Sequence, residues 1–519
     1  MGVFSDIQAA IAPHTLNGLL AVIAVATLYG AYLVTYRLFF HPLRKIPGPY
    51  LAAATYWYEF YEDIVLRGHY VKSYPKLHAK YGPVVRVSPD RVHVSDPEFF
   101  HEVYSSGTKY LKDPAFFQTS GGISEALPAL VDPDYHKQRR HMIKSLFSTK
   151  SIEQLSGVVL EVIQRALDKA VECHRSGSPL DVQRLYTGIT IDTIMRVLCD
   201  KQLNLVESIE EEPPFLATMR TFSENFFLTK HFPILATIAS NLPSSWSDRL
   251  LPGYAQFRQQ VAQWIEEIQN KHKKGIYSGS DGRQTIIDLL LKPEAGYAPL
   301  SKESLVDEVN SFCFAGTHTT SFSLTLATYY LLKNPSKLEK LLRELEMVKR
   351  NSEGLLEYRD VSNLPYLTAV MKESLRLASP VPGVTPRLVP AGGITWAGHY
   401  LPGGTSVSIA IRTVHDNPDL FPEPASFIPE RWLAPEASDH WLVVFGKGPR
   451  SCIGLNVAYM ESYLCIANFF SRLDMSLYKT NEQSIDTRLC PNPVTGASAN
   501  VDLTNVNYIN LIKSINLKF

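Results

Sequence analysis

The stretch Phe445-Gly446-Lys447-Gly448-Pro449-Arg450-Ser451-Cys452-Ile453-Gly454 constrains this chain more than any other. Two glycines and a proline before the cysteine are unfit for the interior of a helix or strand, so the backbone must turn tightly there. From Leu455 to Phe470 apolar residues recur at helical spacing, which predicts a helix starting at or just after the thiol. A helix start offers unpaired N–H groups and a positive dipole end, both of which favour a thiolate and soften its charge on a metal. Gly454 lets a flat ligand approach the backbone. By these residues alone, Cys452 is either a metal-binding thiolate or a buried thiol beside a glycine-rich turn.

The pattern Phe-x-x-Gly-x-Arg-x-Cys-x-Gly is complete, and it resembles the haem-binding loop of the haem-thiolate monooxygenases, the cytochrome P-450 superfamily. The resemblance implies that Cys452 is the axial ligand of the iron of haem b and that Arg450 contacts a propionate. It also implies that Phe445 packs near the sulfur, with Gly448 and Gly454 shaping the loop. A thiolate ligand favours O–O cleavage.

The chain has 519 residues, 45% of them hydrophobic and 20% charged, enough to build one large core. Lys+Arg and Asp+Glu both number 51, so no charge excess argues for nucleic acid. The six cysteines are scattered, without a C-x-x-C pair, which suits a reducing compartment. No Gly-rich dinucleotide or flavin motif is visible, so electrons must come from another protein.

Leu16 to Tyr36 is a run of 21 uncharged residues, long enough to span a bilayer. Arg37, Arg44 and Lys45 follow it, which places the remainder in the cytosol by the positive-inside bias. The expected organisation is an anchor segment (1–36), a basic proline-rich hinge (37–49) and a haem-thiolate catalytic domain (50–519). The expected location is the endoplasmic reticulum membrane, single-pass.

Val84 to Val87 and Arg91 to Ser95 read as a hairpin around Ser88-Pro89-Asp90. Asp113 to Asp134 is a long irregular connection, which in the resembling family covers the substrate pocket. His136 and Arg140 are four apart on a basic helix and share a face; the family often places a tryptophan and an arginine there, reaching the haem propionates. Lys137, Arg139, Lys144 and Lys447 could form a docking face for an acidic redox partner. Phe215, Phe222, Phe226, Phe227 and Phe232 lie in helical sequence that is either core or the roof of a pocket.

Ser301 to Lys333 is the longest helical pattern, stopped by Asn334-Pro335. Inside it, Ala315-Gly316-Thr317-His318-Thr319-Thr320 conflicts with helix propensity, the glycine alone costing about 1 kcal/mol. Such conflicts mark functional sites, and Gly316 is expected to leave room for a small ligand. The segment is similar to the family's distal-haem motif, which implies a proton-delivering role for Thr319 through an ordered water. His318 stands where the family has an acid, and it either relays protons or faces away. Glu373, Arg376 and Arg431 correspond to the family's buried ionic cluster, and Arg387 to a propionate ligand. Short alternating stretches between Ile394 and Ile409, and Val501 to Leu517, complete the strand signal.

The resemblance runs from the anchor to Phe470. It implies a mainly α fold, a helical triangular body with small β-sheets, behind one N-terminal transmembrane helix. It also implies a monooxygenase that hydroxylates or epoxidises a lipophilic small molecule with O2 and NADPH-derived electrons from a flavoprotein reductase. The hinge and Pro429-Glu430-Arg431-Trp432 resemble fungal secondary-metabolite oxygenases of the trichodiene oxygenase type, which implies a terpenoid or polyketide-like substrate. A reductase-independent haem-thiolate isomerase or dehydratase, and a haem-binding carrier or sensor, remain open at this level.

Overall fold

The computed structural model describes residues 2–66, 70–118, 122–209, 213–276, 282–293, 296–381, 383–435, 439–478, 480 and the strand pair 510–511. A helix at Gly2–Thr35 continues into a wider turn at Tyr36–Phe40. Its apolar span, Asn17–Phe40, is 24 residues with a mean hydropathy of 1.9 and none of it buried against the body, so it is long and apolar enough to cross a membrane. It runs further than the sequence pattern indicated because Arg37 turns back to the body, its guanidinium donating to the Ala54 carbonyl at 2.9 Å.

The hinge is not a free linker. Leu43 and Ile46 are buried, the Arg86 N–H donates to the Pro47 carbonyl at 2.7 Å, and a Cβ on Gly48 would meet the Arg86 oxygen at 2.3 Å. The segment is clamped against the strand Val84–Ser88, which pairs with Arg91–Val94 as the hairpin expected from sequence. These two edge a five-stranded sheet continued by Ser406–Ser408, Arg387–Leu388 and Leu111–Lys112. Of the C-terminal strand expectation, Asn510–Leu511 is seen, paired with Leu180–Asp181 and Leu477–Tyr478; the rest lies outside the described residues.

The body is helical around one central rod, Lys302–Lys333, capped by the Ser301 side chain on the Ser304 N–H. It packs on Val182–Cys199, Tyr254–Lys273, Pro365–Ala378 and Leu455–Arg472. A helix surrounded by others has no solvated face for its polar side chains, and here they turn inward on their own backbone. Thr317 donates to the Cys313 carbonyl at 2.6 Å, Ser323 to that of Thr319 at 2.8 Å and Thr325 to that of Ser321 at 2.8 Å.

Glu373, Arg376 and Arg431 meet in one cluster. Glu373 is fully buried and accepts two hydrogen bonds from Arg376 (2.9 and 2.8 Å), one from Arg431 (3.1 Å), one from the Trp432 indole (2.9 Å) and one from the Ile428 N–H (3.0 Å). Arg376 in turn donates to the carbonyls of His415, Pro424 and Ser426. The cluster thus ties the helix Pro365–Ala378 to the long meander that leads into the cysteine loop. Glu373→Ala leaves two guanidinium groups without their carboxylate. The expected loss of about 3–5 kcal/mol is measurable as a lowered denaturation midpoint, and a full-stability mutant would exclude this role.

Candidate active site

The cysteine loop has the geometry its residue types demand. Gly446 and Gly448 both sit at φ 66°, and a Cβ on Gly448 would lie 2.5 Å from the Tyr104 carbonyl oxygen. The Cys452 N–H donates to the Phe445 carbonyl at 2.8 Å, closing the loop before the helix Leu455–Arg472 begins. Phe445 packs on Tyr459, ring centroids 5.4 Å apart. Gly454 places its Cα so that a Cβ would be 3.8 Å from the Cys452 sulfur, an ordinary contact.

Cys452 is accessible by surface area, yet protein encloses it on all sides. The two observations agree only if its open face looks onto an interior void. Burial raises its pKa, partly offset by the Gly454 N–H and by Arg140. The helix start therefore does not by itself yield a thiolate, as the sequence suggested; a bound cation is needed to hold that charge.

The central helix shows the matching feature. Cys313 and Thr317 are buried, but Ala315 is exposed and Gly316, His318 and Thr319 are partly so. One turn in an otherwise enclosed helix thus opens on interior space. Thr319 donates its hydroxyl to the Ala315 carbonyl at 2.8 Å, which leaves the oxygen lone pairs free toward the opening. Glu461, six positions into the cysteine helix and so roughly 9 Å along it, is hydrogen-bonded to Thr320. That contact holds the open turn and the cysteine loop at either end of one gap.

Gly316 does not supply the ligand space expected of it. A Cβ there would meet Ile194 Cγ1 at 2.8 Å, so the glycine is required for close packing against Val182–Cys199. Ala315, the residue before it, is the one facing the opening.

Five basic side chains converge beside this space. His136 is buried; its pKa falls to about 3 through burial and the charges of Arg450, Lys112, Arg140 and Arg387. Lys112 falls to about 6 through burial, Arg450 and Arg387. Arg450 falls to about 10 through burial and Arg387, with Asp132 the one opposing charge. Arg387 and Arg140 are lowered chiefly by burial. They are held by neutral carbonyls: Arg450 donates to Leu130 and Val131 (2.6 and 2.8 Å), Arg140 to Ser451 (2.7 Å), Arg387 to Thr385 and Pro386, and Lys112 to Pro128. Basic groups crowded and desolvated in this way favour an anion beside them. An accessible thiol, an open turn opposite it and a cationic cluster at the edge fit a haem with its two propionates.

Lys112 was not singled out from sequence. Nothing beside it distinguishes it from a surface lysine, and only the pairing of Leu111–Lys112 with Arg387–Leu388 brings it to the cluster. Arg139, expected on a docking face for an acidic redox partner, is instead buried and paired with Glu308 of the central helix at 2.5 Å. Glu308 also accepts from the Leu127 N–H, and Asp307 from the Glu125 N–H and Arg258. These acids pin the connection around 122–130 onto the central helix. Lys137 and Lys144 do remain exposed.

A cavity of about 590 Å³ lies to one side, lined by Phe116, Phe117, Phe226, Phe227, Val381 and Val384 among others, with Glu59, Asp63 and Lys230 at its border. Neither Cys452 nor Thr319 lines it, so it is distinct from the space the thiol faces. Phe117 joins the two, being stacked beneath the Arg387 guanidinium at 5.4 Å and the Lys112 ammonium at 4.4 Å.

The family model for cytochrome P450 matches residues 54–496. The chain belongs to the cytochrome P450 family. It is 60% identical over 494 residues to cytochrome P450 monooxygenase BOT1 of Botryotinia fuckeliana, covering 95% of this chain and 97% of that one. It is 36% identical over 455 residues to monooxygenase aneF of Aspergillus aculeatus (86% and 92% covered) and 37% identical over 465 residues to ankB of Aspergillus thermomutatus (88% of each). This P450 is therefore a haem-thiolate monooxygenase that uses haem b and O2, with NADPH-derived electrons through a reductase.

In this P450 an anion at the cluster must raise Lys112, because the charged lysine gains a partner. Above about pH 6 the free lysine is largely neutral, and pairing costs it a proton from solvent. Haem affinity of the apoprotein is then expected to fall as pH rises above that value, by up to about tenfold per unit, and to be flat below it. In Lys112→Met the slope disappears; titrating apoprotein with haem across this range measures it.

Proposed function

We propose that Cys452 is the axial ligand of the haem iron and that Arg387, Arg450, Arg140, His136 and Lys112 hold the propionates. The observation that carries this is the unpaired cationic cluster beside an enclosed but accessible thiol. When bound, the haem supplies dioxygen activation at a thiolate-ligated iron. The protein's contribution is positional. Ala315 keeps the turn open without filling it, and the Thr319 oxygen, its own proton committed to the Ala315 carbonyl, would accept from a water and hold it in place as the proton donor. His318, where the family has an acid, is lowered to about 4 by burial and stays neutral at physiological pH.

The substrate we infer is a lipophilic molecule of terpenoid or polyketide-like type in fungal secondary metabolism, hydroxylated or epoxidised. Support comes from the aromatic and aliphatic lining of the side cavity, whose volume is that of a pocket for a drug-sized ligand, and from the fungal monooxygenases the chain resembles. The Asn17–Phe40 span anchors the enzyme in the endoplasmic reticulum membrane, with Arg44 and Lys45 on the cytosolic side of it. Residues 1–36 form the anchor segment, 37–49 its docked hinge and 50–519 the catalytic domain. The reductase docks near exposed Lys137 and Lys144, on and just after the helix whose Arg140 touches the cysteine loop.

The reduced, CO-bound spectrum tests the ligand. The native chain is expected to show the strongly red-shifted Soret band of thiolate ligation, and Cys452→Ala to lose it; a band at the position of histidine ligation would reject the assignment. In Thr319→Ala the band is expected to persist while NADPH consumption is diverted to peroxide, at least several-fold over the native chain. Unchanged coupling would remove Thr319 from proton delivery.

A further inference from the structure

The open turn of the central helix carries one polar side chain that the reading above leaves unemployed. Successive helix residues are about 100° apart, which puts His318 roughly 60° from Ala315 and roughly 40° from Phe314 around the axis. The imidazole stacks on Phe314, centroids 6.5 Å apart and planes at 27°. Phe314 in turn stacks on Phe222 of the helix Pro214–Glu224 at 5.1 Å and touches Phe257 at 5.4 Å. His318 is thus the polar member of an aromatic wall that descends from the roof to the Ala315–Thr319 opening.

The ring has no hydrogen bond or ion pair among the described residues, and burial is the one influence on its titration. Protein encloses it, yet part of its surface is accessible, so that part faces inward like Ala315 and Thr319. A neutral imidazole carries one donor and one acceptor. Leaving such a group unsatisfied against a bound apolar molecule is unfavourable, and small-molecule pockets are typically apolar walls bearing a few polar groups that fix orientation.

We propose that His318 orients the substrate by hydrogen-bonding a hydroxyl, carbonyl or ester oxygen already present on the lipophilic molecule, and so selects oxygenated scaffolds over their parent hydrocarbons. The assignment rests on the monooxygenase reading and on the lipophilic substrate class. It places the enzyme after a reaction that has already introduced oxygen into the carbon skeleton. A site built to hydrogen-bond a substrate oxygen rejects the analogue lacking it, because the protein group is then left unpaired.

The test uses the haem-loaded full chain in detergent and two matched pairs of probes, nootkatone with valencene and cedrol with cedrene, each pair an oxygenated terpenoid and a hydrocarbon of the same skeleton. Dissociation constants come from the spin-state shift of the Soret band, and the reduced-CO spectrum verifies that each variant is intact. The oxygenated member of at least one pair is expected to bind about tenfold more tightly to the native chain. His318→Phe, which extends the aromatic stack, is expected to abolish that preference while hydrocarbon affinity stays within about twofold. His318→Gln, with a donor and an acceptor, is expected to retain part of the preference.

Equal affinities within both pairs for the native chain, or an unchanged preference in His318→Phe, would overturn the assignment and leave the monooxygenase reading standing. Complete loss of preference in both variants, as a packing defect would give, also counts against it. If none of the four probes shifts the native spectrum, the terpenoid substrate class has failed and the assignment falls with it.

Discussion

Desolvating several basic groups side by side is costly, and this structure gathers Lys112, His136, Arg140, Arg387 and Arg450 in that way, each with its pKa lowered. They come from four separate segments of the chain, and the lysine and the three arginines are held by backbone carbonyls that cannot neutralise them. The arrangement suits an anionic group. It also explains why the sheet and the helical body are interlocked where they are. The strands Leu111–Lys112 and Arg387–Leu388 carry two of the basic groups, the helix Pro133–Ile143 carries two more, and the cysteine loop supplies Arg450.

The central helix resolves a second conflict. It must be buried to serve as the spine of the body, yet open at one turn to face the reactive space. Gly316 allows Val182–Cys199 to close against the helix on one side, through contact with Ile194, while Ala315 leaves the other side clear. The serines and threonines that would be costly in such a position satisfy themselves on the preceding turn. The acids at its N-terminal end, Asp307 and Glu308, are used to fasten the loop that covers the cavity.

A separate ionic group borders that cavity. Lys230 bridges Glu59 and Asp63 at 2.8 and 2.6 Å, and His231 reaches Asp63 at 3.0 Å, joining the roof helix Phe226–His231 to the segment just after the hinge. Burial alone would raise Glu59, but Lys230 and Arg91 hold it down at about 2, so the group stays ionised. Its neighbours Phe226 and Phe227 line the cavity. The helix Phe226–His231 and the segment just after the hinge are therefore coupled at the wall of this cavity.

Local sequence was enough for everything that depends on chain neighbours. The glycine and proline positions before Cys452 dictated a turn, the spacing after it a helix, Asn334-Pro335 a stop, and Leu16 to Tyr36 an apolar rod. Order along the chain also identified Glu373, Arg376 and Arg431, since the family resemblance fixed which distant residues would meet. Tertiary structure alone decided the rest, because burial and long-range charge have no local signature. Lys112 looks like any surface lysine until strand pairing sets it beside Arg387, and Arg139 like a solvated one until Glu308 closes on it. Gly316 reads as ligand space until Ile194 occupies it, and His318 as a proton relay until burial strips its charge and Phe314 takes up its ring. A side chain's chemistry belongs to its type, but its ionisation and partners are set by whatever the fold brings within a few ångströms of it.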